Sequence, residues 1–251
     1  MLPLCYLLVS ANGTQKGIVG GSRASNCQFP SIVHLKVFNQ PSQYSYGACG
    51  GTLIDATHVL TAAHCLEGKV KRIQVNIGSN NQASLGEQST TVSRFVIHGG
   101  YVKSKYVVKN DIAILTLQNR IRESRCVKFA RLASKGETFG TSRCVAAGWG
   151  NFAYKGSSPD ELYKVTLPAI PADECKRRSK MRISDGILCA GDFNAGGTST
   201  CQGDSGGPLY CRNRYYQTVL AGVTSFGSKC NGEVSAFTDV GYFRDWIDKN
   251  L

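Results

Sequence analysis

Gly203-Asp204-Ser205-Gly206-Gly207-Pro208 sets one serine among three glycines and a proline. Glycine accepts positive φ and lets the backbone come close to a ligand, so this run predicts a tight turn whose N–H groups point inward at a bound oxygen. A serine hydroxyl in such a turn is a weak nucleophile until a base takes its proton. Four histidines are available, His34, His58, His64 and His98, and His64 stands in Thr61-Ala62-Ala63-His64-Cys65. A base histidine needs a carboxylate to orient it. Asp111 opens the apolar run Asp111-Ile112-Ala113-Ile114-Leu115. A carboxylate leading a buried run requires a partner, because an unpaired buried charge is costly, and His64 is the natural one.

Outward from these points, the chain reads as many short strands. It has 28 glycines and two methionines among 251 residues, with brief runs of Val, Ile, Thr and Tyr between turn residues. That pattern favours an all-β fold over long amphipathic helices. Candidate strands fall in two successive sets. The first lies near 31–38, 51–54, 58–61, 72–77, 90–97 and 112–117; the second lies near 143–148, 162–168, 187–190, 207–211, 216–225 and 235–238. Two six-stranded antiparallel β-barrels, packed around a cleft, satisfy this pattern and remove open sheet edges. The expected lobes span about 18–125 and 126–240. Phe243, Trp246 and Ile247 recur at helical spacing, which predicts a short C-terminal helix over 241–251.

Residues 1–11 contain the apolar run Leu2-Pro3-Leu4-Cys5-Tyr6-Leu7-Leu8-Val9 and end on Val9-Ser10-Ala11, as a short secretory signal would. No later segment reaches membrane-spanning length. Setting aside Cys5 leaves ten of the eleven cysteines, an even number that suits five disulfides in an oxidising, extracellular compartment. None forms a Cys-x-x-Cys pair, so zinc binding is not expected. The net charge of +12 gathers at Lys69/Lys71/Arg72, Lys103/Lys105/Lys109, Arg120 to Arg131, and Lys176/Arg177/Arg178/Lys180/Arg182. Such patches are either solvated or able to hold an anionic glycan or acidic protein. No motif supports nucleic-acid binding.

Taken together, the motifs resemble the trypsin and chymotrypsin family of serine endopeptidases. The likeness runs from Ile18 to about Trp246. It is carried in order by Ile18-Val19-Gly20-Gly21, Thr61 to Cys65, Asp111-Ile112-Ala113, Gly148-Trp149-Gly150, Gly203 to Pro208, and Ser225-Phe226-Gly227. The resemblance implies that Ser205 attacks the scissile carbonyl, His64 shuttles the proton, and Asp111 holds the imidazole tautomer. It implies an oxyanion hole from the amides of Gly203 and Ser205, and a substrate-pairing strand at Ser225 to Gly227. It also implies disulfides Cys49–Cys65, Cys144–Cys211, Cys175–Cys189 and Cys201–Cys230. Cys27 and Cys126 are left either as a fifth bridge or as free buried thiols. No cofactor is implied, and the expected form is a secreted monomer acting on proteins or peptides. A non-enzymatic homologue with the same fold is the rival reading, although no member of the motif set is altered.

The same resemblance places Ser199 at the base of the primary specificity pocket, with Thr200 and Ser235 narrowing it and Gly227 on its wall. Without a carboxylate at the base, a lysine or arginine would be buried unpaired, so large apolar or aromatic residues are expected before the cut. Glu233 is the one nearby acid that could restore a basic preference. A calcium loop would fall near Gly78 to Gln88, but Ser79 stands where a carboxylate is wanted and Glu87 remains alone, so no tight calcium site is expected. Activation implies a new amino terminus at Ile18 pairing with Asp204 after removal of a propeptide, residues 12–17. Lys16 is followed by Gly17, so a cut after lysine would leave one residue too many. Asn12-Gly13-Thr14 in that propeptide is a glycosylation sequon.

Overall fold

In β2 (Ile32–Phe38), Val33, Leu35 and Val37 alternate with His34 and Lys36, and the three aliphatic residues point into one core. This period of two, repeated along the chain, builds most of the molecule. The computed structural model describes residues 18–40, 45–105, 107–180, 182–194, 197–227, 230 and 234–251. The expected signal, propeptide, sequon and Glu233 lie outside the described residues.

The strands in chain order are β1 (Ser22–Arg23), β2, β3 (Gly47–Leu53), β4 (His58–Thr61), β5 (Arg72–Ile77), β6 (Gln88–Ile97), β7 (Val102–Lys103), β8 (Val108–Lys109) and β9 (Ala113–Leu117). They continue with β10 (Arg143–Gly148), β11 (Tyr163–Ile170), β12 (Ile187–Gly191), β13 (Pro208–Arg212), β14 (Thr218–Gly227) and β15 (Val234–Asp239). A 3-10 turn covers Ala63–Leu66, and two helices, α1 (Ala172–Arg178) and α2 (Arg244–Lys249), complete the chain.

The first barrel closes in the order β2-β3-β4-β9-β6-β5. The second runs β11-β10-β13-β14-β15-β12 and closes where Ala169 and Ile170 pair with Ala190 and Cys189. All of its strand pairings are antiparallel. The expected architecture of two six-stranded antiparallel barrels is therefore present. β1 precedes the first barrel in sequence yet adds to the second, pairing Ser22 and Arg23 with Lys164 and Tyr163 of β11. The β7–β8 hairpin stands apart from both barrels.

β9 explains how the barrels meet. Ala113, Leu115 and Leu117 point into the first barrel's core, while Ile112 and Ile114 on the opposite face join a cluster with Leu209, Val223 and Phe237 of the second. A strand buried on both faces reads as a continuous apolar run, as 112–115 does.

The helices were only partly legible. α2 occupies Arg244–Lys249 instead of 241–251, because Asp239 accepts from the backbone N–H of Tyr242 and Phe243 in a turn before the helix begins. α1 was not expected: of its seven residues only Cys175 is buried, so it has no apolar period. It is held by Arg177–Asp173 and Arg178–Glu174 pairs one turn apart and by the Cys175–Cys189 bridge.

All five bridges form: Cys49–Cys65, Cys144–Cys211, Cys175–Cys189, Cys201–Cys230 and Cys27–Cys126. The last settles the open alternative against free thiols and spans 99 residues of sequence. A crosslink over so long a loop restricts the unfolded chain strongly. Replacing both Cys27 and Cys126 by serine is expected to lower the unfolding free energy by about 2–5 kcal/mol, read as a reduced urea midpoint, with a slope that rises as the released unfolded chain exposes more surface.

Candidate active site

Asp111 follows Asn110, whose φ of 51° turns the chain sharply into Ile112 and β9. Its side chain is fully buried. Asp111 Oδ1 accepts from the backbone N–H of His64 at 2.8 Å, and Oδ2 lies 2.7 Å from His64 Nδ1. Ser225 Oγ donates to the same Oδ2 at 2.5 Å, and Thr238 Oγ1 donates to the Asp111 carbonyl at 2.7 Å. Burial opposes ionisation of Asp111, but the hydrogen bonds from His64 and Ser225 and the nearby imidazole outweigh it and hold the carboxyl below its ordinary range. An ionised carboxylate can only accept. The proton shared with it therefore sits on Nδ1, and Nε2 keeps its lone pair. His64 itself is carried on the 3-10 turn Ala63–Leu66 that follows β4.

Ser205 occupies the turn before β13. Gly203 and Gly206 adopt φ of 100° and 75°, in the left-handed region that favours glycine. A side chain at Gly206 would also meet Thr61 Oγ1 at 2.2 Å and the Gly50 carbonyl at 2.6 Å. The turn is fastened by Asp204 N–H to Cys201 O, Gly206 N–H to Thr224 O, Gly207 N–H to Asp204 O, and Gly50 N–H to Ser205 O. The two remaining amides, of Gly203 and Ser205, donate to no acceptor among the described residues. Two unsatisfied donors flanking one serine form a site for an oxygen bearing negative charge.

Asp204 is buried and accepts from Gly150 N–H at 2.8 Å and Cys201 N–H at 2.9 Å. A Cβ on Gly150 would fall within 2.6 Å of its carboxylate, which accounts for the glycine after Trp149. No cation faces Asp204 among the described residues, and burial raises its pKa to about 7. Ile18 is fully buried with Leu209 and Val223. Val19 forms an antiparallel bridge with Ser199, whose N–H donates to the Val19 carbonyl.

A cavity of about 340 Å³ beside Ser205 is lined by Thr200, Cys201, Gln202, Ser225, Phe226 and Gly227, among others, and no carboxylate lines it among the described residues. Ser235 Oγ accepts from both the N–H and the hydroxyl of the lining residue Thr200, at 3.0 and 2.9 Å. Ser199 and Ser235 are themselves buried and are not among the residues that line the cavity. Glu87, the acid of the expected calcium loop, instead accepts from Ser124 Oγ at 2.5 Å. The basic segment at 176–182 is partly neutralised, with Lys176 on Asp185, Arg177 on Asp173 and Arg178 on Glu174.

Two contributions escaped sequence reasoning. The Ser225 hydroxyl binds Asp111 as well as belonging to the strand beside the cavity, and the signal was its placement one residue after a buried threonine on a strand expected at the cleft. The Glu67 pairing with Tyr101 and Lys103, which ties the segment after His64 to β7, had no local signal.

The chain matches the Trypsin family over residues 18–247. It is 32% identical over 257 residues to trypsin eta of Drosophila erecta, covering 98% of this chain and 96% of the relative. It is 34% identical to trypsin, alkaline A, of Manduca sexta, with 93% and 90% covered, and 34% identical to kallikrein 1-related peptidase b3 of Mus musculus, with 99% and 97% covered.

The Asp204 carboxyl carries a pH signature. Its folded pKa, about 7, exceeds the ordinary 3.8, so between these values the folded state holds a proton that the unfolded state has lost. Stability attributable to this group falls as pH rises from about 4 to about 7 and stays reduced above. Urea unfolding of the uncleaved protein and of its Asp204→Asn variant should show the wild type losing ground across that window, whereas parallel profiles would contradict the assignment.

Proposed function

Because the chain belongs to the trypsin family of serine endopeptidases, we propose that Ser205, His64 and Asp111 act together in peptide-bond hydrolysis through an acyl-enzyme. The observation that carries this reading is the grip on His64: a buried, ionised Asp111 accepts from both its backbone and its Nδ1, leaving Nε2 as the base. His64 takes the Ser205 proton as Oγ attacks the carbonyl and later delivers it to the leaving amine. The unengaged amides of Gly203 and Ser205 stabilise the oxyanion, each worth about 10²–10³ in turnover. Ser225 to Gly227 extends past the end of β13, giving the substrate backbone an open strand edge to pair with.

We further propose a secreted precursor activated by release of Ile18, whose ammonium pairs with Asp204. The five disulfides suit an oxidising compartment, and no helix among the described residues is long and apolar enough to cross a membrane. An activating protease that accepts glycine, or trimming of Gly17, is required. Anionic glycans are proposed as further partners of the basic surface.

For specificity, the pocket supports a large apolar or aromatic residue before the cut. Thr200 and Ser235 satisfy one another and leave no charge to meet a lysine or arginine. Relatives are named trypsins, which makes a basic preference the competing outcome.

Protein beginning at Ile18 should be labelled by a fluorophosphonate at Ser205, and protein beginning at Gly17 should not. His64→Ala and Asp111→Asn are expected to lower kcat by about 10⁴-fold while binding of a peptide inhibitor changes far less. Absence of labelling in material starting at Ile18 would favour the non-enzymatic homologue.

A peptide-library profile of the same material should favour Phe, Leu or Met over Lys and Arg before the cut, with kcat/KM at least about 100-fold higher. Dominant cleavage after Lys or Arg would overturn the apolar pocket.

A further inference from the structure

Away from Ser205, a cavity of about 470 Å³ lies at the opposite ends of β10, β13 and β14. Arg143 begins β10, Arg212 ends β13 and Thr218 begins β14, and all three line it. Ser205 precedes the other end of β13, so the two sites are separated by the strand's length, roughly 15 Å at about 3.3 Å per residue.

The cavity has two kinds of wall. Its inner face is apolar and aromatic: Phe29 stacks on Tyr210 with ring centroids 5.7 Å apart, and Phe129, Val145 and Leu220 continue the surface. Among the described residues five cations line it, Lys128, Arg131, Arg143, Lys164 and Arg212, and no carboxylate does. Lys128 reaches Glu123 at 3.5 Å and Lys164 bonds the neutral Gln28 side chain, while the guanidiniums of Arg131, Arg143 and Arg212 have no partner among the described residues.

The charge excess is local. A neighbouring cavity shares Ala130 and Arg131 and adds Arg214, but Asp55 and Glu137 line it and its other cations, Lys135 and Arg244, pair with Asp245 and Asp248. A long polyanion would need an unbroken cationic track, and these acids interrupt it. The volume falls in the range of sites for drug-sized ligands, which are mostly apolar with a few placed polar groups. Guanidiniums around such a wall offer forked donors to a carboxylate, sulfate or sulfonate.

We propose that this cavity binds a small amphiphilic anion, an aryl or alkyl body bearing a carboxylate, sulfate or sulfonate, with the body on Phe29 and Tyr210 and the anionic head on Arg143 and Arg212. The site does not depend on Ser205 chemistry.

Anilinonaphthalene sulfonate serves as the probe, its fluorescence rising in an apolar site. Titration of the full-length protein should show one saturable site, unchanged by Ser205→Ala and weakened at least about tenfold by Arg143→Glu with Arg212→Glu, the loss expected for one charge-assisted hydrogen bond or more. Inorganic sulfate at equal concentration should displace it poorly, because it lacks the apolar body. Thermal unfolding of the double variant close to wild type would show that the fold is intact, and a small-peptide cleavage assay offers a second check. Unchanged affinity in a folded double variant, or no saturable site, would overturn the proposal. So would tight, charge-dependent binding of a heparin oligosaccharide without a sulfonate site.

Discussion

A carboxylate buried between two barrels has to be satisfied by both or expelled, and Asp111 shows how the requirement is met. Removing such a charge from water costs several kcal/mol before any partner is counted. The first barrel's side contributes the backbone and imidazole of His64; the second contributes the hydroxyl of Ser225 to the carboxylate, while Thr238 donates to the Asp111 backbone carbonyl. The barrels therefore cannot shift relative to one another without leaving this charge short of donors. The same bonds that anchor the interface also determine which imidazole nitrogen carries the proton. Structural necessity and proposed chemistry coincide at one side chain.

Asp204 is the contrasting case. It is as deeply buried, yet among the described residues it has only two backbone donors and no cation, and its carboxyl is correspondingly reluctant to ionise. One buried acid is complete in the chain as written; the other awaits a charge. In the proposed scheme that charge comes from the chain itself, which makes catalytic competence depend on a covalent event distant in sequence from Ser205. The turn at Gly203 to Gly207 is anchored through Asp204's own N–H and carbonyl, so completing its side chain acts directly on the backbone that presents the two unengaged amides.

The barrels were legible because their strands are short and bounded by turn residues, with aliphatic residues that alternate along one face, as in β2, or run together, as at the start of β9. The residues around Ser205 were legible because glycine at left-handed φ and a carboxylate heading an apolar run each admit few physical explanations. What stayed hidden depends on partners far away in sequence. α1 is a helix through surface ion pairs and a crosslink, without an apolar stripe that could announce it. β1 joins the second barrel because the edge of β11 is open to it, which nothing in Ser22-Arg23 reveals. The hydroxyl of Ser225 looks like any strand residue until the fold brings it to Asp111, 114 positions away. The cavity at Arg143 and Arg212 unites residues from six separate stretches, so charge runs in the sequence could not outline it.

The bridge between Cys27 and Cys126, together with β1 on β11, would constrain the amino terminus that the proposed activation frees at Ile18. Only the few residues from Ile18 to Gly21 lie before the first strand, and Cys27 clamps the chain soon after it. A terminus on so short a leash behaves as a tethered ligand whose local concentration near its receptor is set by the leash, on the order of millimolar for short flexible connections. Docking of Ile18 is then insensitive to dilution of the protein, and a single extra residue matters because it changes where the ammonium ends, while the tether's contribution scarcely alters.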